Sequence, residues 1–281
     1  MQLLFLGVRG STPAPGADFV RYGGHTSCVA VSHDGAEAPT LILDAGTGIR
    51  SLSAELPGPD FHGAILVTHM HWDHIQGLPF FVKGDHPTSD IDLFLPAQDD
   101  LGGRDLLARF LSPPGFPILP EGLQGLWRFH AMSPGAVPVD GFEVVAFDVE
   151  HKGGRTFGFR ITDDSGSIAY IPDHAAVSRP ASLAPLIAGV DVLIHDSQFF
   201  HGEREVAARF GHSTVTDSIE LGVEVGARHV VLFHHSPART DEQLDGMAQS
   251  TRAPMALTVA REGMTMSVTR EGMSVSAGTR S

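Results

Sequence analysis

At 281 residues the chain fits one large domain, and 42% hydrophobic against 19% charged residues is a globular composition that excludes a disordered, collagen-like or coiled-coil chain. With 19 Lys+Arg against 33 Asp+Glu the net charge is −14, which argues against a protein that lies along a nucleic-acid backbone. A single cysteine, Cys28, excludes an internal disulfide and a thiolate metal cluster, so a metal here must be held by carboxylates and some of the 16 histidines.

The N-terminal half alternates short apolar runs with Gly, Pro and Asp punctuation, and the spacing predicts strands at residues 2–6, 27–32, 40–43 and 64–68. A helical pattern covers 49–56, and another can start at His74 before Pro79 interrupts it. From Pro96 to Pro120 the composition changes. A helical pattern at 104–111 runs into Ser112-Pro113-Pro114-Gly115-Phe116-Pro117, which cannot continue it, so 96–127 reads as a lid or insertion in a single domain spanning 1–281. Strands resume at 143–149, 156–161 and 167–171, and those at 190–194 and 230–233 follow helices near 182–187 and 216–225. This mixture predicts an α/β layered fold. Near the C-terminus Arg261-Glu262-Gly263-Met264 is echoed by Arg270-Glu271-Gly272-Met273. Two copies do not make a solenoid; a hairpin edge, a duplicated terminus or chance would each give them. No apolar run reaches membrane-spanning length and the first residues lack the features of an export signal, so the expected location is cytoplasmic, with no membrane partner.

The chemistry concentrates after the strand at 64–68, in His69-Met70-His71-Trp72-Asp73-His74. In an extended segment residues two apart project to the same side, so His69 and His71 can share one ion, while the following turn re-aims Asp73 and His74 toward a second. The segment resembles the signature of the metallo-β-lactamase-fold hydrolases, and Leu41-Ile42-Leu43-Asp44-Ala45-Gly46 resembles their short strand with its Asp-x-Gly turn. Further matches are His151 at a strand end, Ile171-Pro172-Asp173, and Leu232-Phe233-His234-His235-Ser236-Pro237. The resemblance implies a four-layer αββα sandwich of two mixed sheets flanked by helices. It also implies two divalent ions, one held by His69, His71 and His151, the other by Asp73, His74 and His234, with Asp173 bridging. An all-N/O ligand set suits Zn²⁺ and is compatible with Mn²⁺ or Fe²⁺. Two such ions share a hydroxide that attacks a phosphate in line.

Leu193-Ile194-His195-Asp196 and Gly211-His212-Ser213-Thr214 resemble paired acid–histidine elements of the tRNA 3′-processing endonucleases and their phosphodiesterase relatives. By that resemblance His212 protonates the leaving oxygen or steadies the phosphate, and Asp196 orients it; the same residues could instead simply cap the helix near Thr216. No glycine- and lysine-rich arm suited to gripping a tRNA is present, and only Lys83 and Lys152 are lysines. The block Gly7-Val8-Arg9-Gly10-Ser11-Thr12-Pro13 with Tyr22-Gly23-Gly24-His25-Thr26-Ser27-Cys28 resembles a bacterial phosphodiesterase branch, some of whose members hydrolyse cyclic nucleotides. His25 and His174 depart from that branch and fall near the expected ligands, where they could add contacts. A two-metal phosphodiesterase acting on a small phosphodiester such as a cyclic nucleotide is therefore expected. The alternatives are a tRNA 3′ endoribonuclease and a non-catalytic metal-dependent nucleotide-binding module. Arg9, Arg50 and Gly23-Gly24 are candidate phosphate or base contacts, and Phe116 and Trp127 a candidate aromatic wall, with core packing or a homodimer contact as their other reading.

Overall fold

The structure is a computed structural model that describes residues 1–178 and 182–276. Its strands are β1 (Gln2–Gly7), β2 (Cys28–Ser32), β3 (Leu41–Leu43), β4 (His62–Leu66), β5 (Asp90–Pro96), β6 (Leu126–Met132), β7 (Gly135–Val139), β8 (Phe142–Val149), β9 (Thr156–Thr162), β10 (Ser167–Ile171), β11 (Val192–Asp196), β12 (His229–Phe233), β13 (Ala256–Val259), β14 (Thr265–Thr269) and β15 (Gly272–Ser276). Among the described residues seven α-helices accompany them: α1 (Ile49–Glu55), α2 (Trp72–Ile75), α3 (Gly103–Ala108), α4 (Leu183–Leu186), α5 (Arg204–Phe210), α6 (Val215–Val225) and α7 (Asp241–Ser250). None is long and apolar enough to cross a membrane, among the described residues.

The strands form two mixed sheets, in the orders β15-β14-β1-β2-β3-β4-β5-β6 and β13-β12-β11-β10-β9-β8-β7. Alternation along the apolar runs explains how they stack. In β1, Leu3 and Phe5 enter the core between the sheets while Leu4 and Leu6 turn to the helix side. In β12, Val231 and Phe233 join the central core while Val230 and Leu232 meet the outer helices. Strands this apolar on both faces must be covered on both, so α1 and α3 pack on the first sheet and α4, α6 and α7 flank the second. The result is the expected four-layer αββα sandwich.

Several elements escape the sequence reading. In β5 the alternation is clear, with Ile91, Leu93 and Leu95 buried, but its neighbour β6 has only Met132 fully buried and carries weak signal. Residues 126 and 127, assigned to the insertion, already belong to β6. Helix α2 begins at Trp72, two residues before His74, and gives way to a 3-10 turn at Leu78–Phe80 that accommodates Pro79. The C-terminal echo marks two turns, the first leading into β14 and the second joining β14 to β15 as a hairpin.

Arg9 is not a phosphate contact. Its side chain is fully buried, donating from Nε to the Gly23 carbonyl (2.7 Å) and from Nη1 to the carbonyls of Arg239 (2.7 Å) and Ser236 (3.2 Å), with Asp241 3.7 Å away. Gly23 is thereby engaged as an acceptor for Arg9, and Arg50 is exposed on α1 away from the cavity described below. Arg9→Ala strands several buried acceptors and a carboxylate, so it should lower unfolding stability by about 3 kcal/mol. An unchanged urea midpoint with unchanged slope would contradict that.

Candidate metal centre and its cavity

The parallel runs β3-β4-β5-β6 and β10-β11-β12-β13 bring their C-terminal ends to one rim of the sandwich, and β8 runs the same way as β10. From these ends come Asp44 after β3, the His69–His74 loop after β4, His151 after β8, Asp173 after β10, Asp196 at the end of β11 and His234 after β12. The two sheets thus supply opposite halves of one site.

His69 Nε2 lies 2.8 Å from His71 Nδ1, and His71 Nδ1 lies 3.3 Å from His151 Nε2. On the other side His74 Nε2 is 3.3 Å from His234 Nε2, and Asp73 Oδ2 is 3.1 Å from His234 Nε2. The two 3.3 Å separations match the edge of a tetrahedron with metal–nitrogen bonds of about 2.0–2.1 Å, roughly 3.3–3.4 Å, and the 2.8 Å between His69 and His71 is shorter than that edge. Asp173 lies between the groups: Oδ2 is 2.9 Å from His74 Nε2 and 3.2 Å from His234 Nε2, and Oδ1 is 3.5 Å from His151 Nε2. Its buried Oδ2 nevertheless makes no hydrogen bond of proper geometry, as expected of an oxygen whose lone pair is aimed at an ion. The donor sets His69/His71/His151, Asp73/His74/His234 and His69/His74/Asp173 could each hold a cation. Burial pushes His69, His71 and His151 below the usual imidazole range, which leaves them neutral and able to ligate. Against the cost of burial, the imidazoles of His234 and His74 hold Asp173 well below the usual carboxylate range.

The outward-facing atoms are fixed in turn. His151 Nδ1 donates to the Gly211 carbonyl (2.6 Å), and His74 Nδ1 to Asp44 Oδ2 (2.8 Å). Asp44 also accepts the Thr68 amide (2.7 Å), the Thr68 hydroxyl (3.0 Å) and the Tyr170 hydroxyl (2.8 Å), joining the two sheets beneath the site. The sequence offered Asp44 only as a turn residue, and Tyr170 only as a strand residue. Because this carboxylate fixes which nitrogen of His74 faces inward, Asp44→Asn should weaken binding of the ion on that side about 10–100-fold, read by zinc competition against a chromophoric chelator. Equal affinity in the variant would show that Asp44 has no such role. The Ser11 amide donates to Asp73 Oδ2 (2.6 Å). Gly153, at φ +89°, passes so close to His71 that a Cβ would sit 2.8 Å from its Nε2.

His212 adjoins both groups, its ring 5.0 Å from that of His151 and 5.3 Å from that of His234. Its Nδ1 is 2.9 Å from Asp196 Oδ2, and its Nε2 has no partner among the described residues. Asp196 is anchored by the amides of His174 (3.0 Å), Ser213 (3.2 Å) and Gln198 (3.0 Å). Burial opposes protonation of His212, but Asp196, then Asp173 and Asp73, push its pKa up to about 9. Of the capping reading, the structure shows that Thr214 forms a capping box with Asp217 at the start of α6. His174 steadies Asp196 through its backbone, whereas the His25 ring meets Thr47 and is not in contact with the ligands.

Above the centre opens a cavity of about 650 Å³ lined by Ser11, Trp72, Gln98, Asp99, Arg109, Phe110, Lys152, Gly153, Arg155, Phe210 and the inner His and Asp residues. Phe116 and Trp127 are not among its lining. Phe116 packs edge-on to Phe80 and Trp127 lies beside Phe129, both against the core under α1 and α3, because their segment faces the sheet rather than the site. The aromatic surface of the cavity is Trp72, Phe110 and Phe210 instead.

Residues 40–235 match the family described as Beta-lactamase superfamily domain. The chain is 22% identical over 288 residues to Ribonuclease Z of Natronomonas pharaonis, covering 84% of this chain and 87% of that one. Among solved structures it resembles the metallo-beta-lactamase fold protein YhfI from Bacillus subtilis (TM-score 0.69, 20% identity, 94% of this chain and 98% of that one). A diphosphatase from the PhnP family is similar to the same degree (TM-score 0.68, 21% identity, 95% and 97%).

Proposed function

Since this chain belongs to the beta-lactamase superfamily, we propose that it is a two-metal phosphodiesterase that hydrolyses a small phosphodiester, with cyclic nucleotides the first class to test. The observation that carries this reading is the convergence of His69, His71, Asp73, His151 and Asp173 in the lining of one cavity, with His74 and His234 buried behind them, beside an imidazole, His212, whose Nε2 is unengaged. When bound, two divalent ions supply a water of lowered pKa as nucleophile and neutralise the phosphate oxygens. The residues of the chain do the rest. His69, His71 and His151 hold one side, Asp73, His74 and His234 the other, and Asp173 faces both. Asp196 keeps Nδ1 of His212 occupied, so the proton on Nε2 can pass to the leaving oxygen. Residues 96–127 supply Gln98, Asp99, Arg109 and Phe110 to the wall, which supports their reading as an insertion that shapes specificity.

The size of the cavity suits a small molecule, and the net charge of −14 does not favour a long polyanion. A tRNA 3′ endoribonuclease is the second reading, favoured by the likeness to Ribonuclease Z. Zinc- or manganese-loaded protein assayed on cyclic AMP, cyclic GMP, 2′,3′-cyclic nucleotides and bis(p-nitrophenyl) phosphate, with precursor tRNA on a gel in parallel, separates them. Turnover of small diesters without tRNA cleavage supports the first reading, and the opposite pattern replaces it. Tight nucleotide binding with no product from any of them would instead identify a binding module.

A further inference from the structure

Resting on that phosphodiesterase reading, we propose that Arg109 and Lys152, with Arg155 beside them, form an anion subsite that selects substrates carrying a second phosphate group outside the scissile diester. On this acidic chain several cations meet carboxylates: Arg104 meets Glu121, Arg128 meets Asp90 and Asp92, Arg204 meets Asp217, and Arg228 meets Asp191, while Lys83, Arg160 and Arg270 are held by main-chain carbonyls. What sets the cavity wall apart is that two cations without a carboxylate partner line one space beside the His and Asp cluster. The Arg109 side chain has no ion pair or hydrogen bond among the described residues, and the Lys152 ammonium donates to the Arg209 main-chain carbonyl, which positions the charge without cancelling it. Arg155 is paired with Asp148 at 3.1 Å and adds less. Asp99 is the one carboxylate of the lining besides Asp73 and Asp173 of the metal centre.

The wall is also held in shape. The Gln98 side chain accepts from the Arg155 amide (3.1 Å) and donates to the Arg155 carbonyl (3.1 Å), so the segment before α3 is clasped to the 151–155 loop in the manner of a β-bridge. Charge and fixity together point to a ligand group. A phosphodiester carries a single negative charge, which the metal side already faces, and it leaves two cations with no anionic partner. A phosphomonoester contributes about −1.5 to −2 at neutral pH and three strong acceptor oxygens, which answers both.

The test uses the metal-loaded enzyme and adenylyl-(3′→5′)-adenosine with and without a 5′-phosphate. The expected result is a kcat/KM preference of about tenfold or more for the phosphorylated dinucleotide, shrinking at high salt, and largely lost in R109A/K152A. Equal kcat/KM for the two substrates, or a preference that survives in the double variant, would overturn the subsite. If the wild type cleaves neither, nor bis(p-nitrophenyl) phosphate, the phosphodiesterase reading fails on its own. Calorimetry then decides the subsite: adenosine 3′,5′-bisphosphate should bind about tenfold or more tightly than adenosine 5′-monophosphate to the wild type and not to R109A/K152A. The absence of that difference would overturn it.

Discussion

Asp173→Ala will abolish turnover, with kcat/KM on a small phosphodiester falling by about 10⁴-fold or more, equivalent to roughly 5.5 kcal/mol of lost transition-state stabilisation. The size of the effect follows from where the two oxygens sit. Oδ2 approaches His74 and His234 on one side, and Oδ1 approaches His151 on the other, so one substitution removes an anionic donor from both halves of the centre. It also removes the charge that offsets a cluster of buried imidazoles. Metal content measured by plasma mass spectrometry should fall with activity, and Asp173→Asn, which keeps the volume, should not restore either. A variant that keeps its metals and turns over normally would remove Asp173 from the centre.

His212→Ala should behave differently. The residue lies beside the metal ligands but its Nδ1 is committed to Asp196, so the ions stay and proton delivery is lost. For a substrate with an alkoxide leaving group, kcat should fall about 10²–10⁴-fold. For bis(p-nitrophenyl) phosphate, whose leaving group needs no proton at neutral pH, the loss should be far smaller. Asp196→Asn should reproduce that split, because its carboxylate fixes the tautomer of the ring while three amides fix the carboxylate. Equal losses on both substrates, or loss of metal in His212→Ala, would assign the ring to the metal centre and not to proton transfer.

What could be read from the sequence divides by how locally each feature is encoded. Four of the centre's side chains lie within six residues of one another, and the turn between extended and helical backbone at His71 separates them into two groups, so the pattern is visible without a structure. His151, Asp173 and His234 are remote in sequence, and it is the family resemblance that picks them out, at strand ends which the apolar runs mark well. Side chains whose role depends on tertiary surroundings were misread or missed. Arg9 in a glycine-rich block looks like an anion contact, but its guanidinium is spent on three carbonyls inside the protein. Phe116 and Trp127 have the chemistry of a base platform and face the core. Trp72, 72% exposed between two expected ligands, lies within the motif itself, but its place in the cavity wall is set by the fold around it. Lys152 carried a countable signal, being one of two lysines and adjacent to a ligand.

Because one sheet contributes four of the donors and the other three, an ion bound at this rim acts as a clip across the seam of the sandwich, opposite the core that glues its interior. Binding free energy and folding free energy are then linked. At a free ion concentration about a hundred times its dissociation constant, each ion would add about 2.7 kcal/mol to the stability of the whole fold. In such an arrangement scarcity of metal is felt twice, as lost catalysis and as a looser protein.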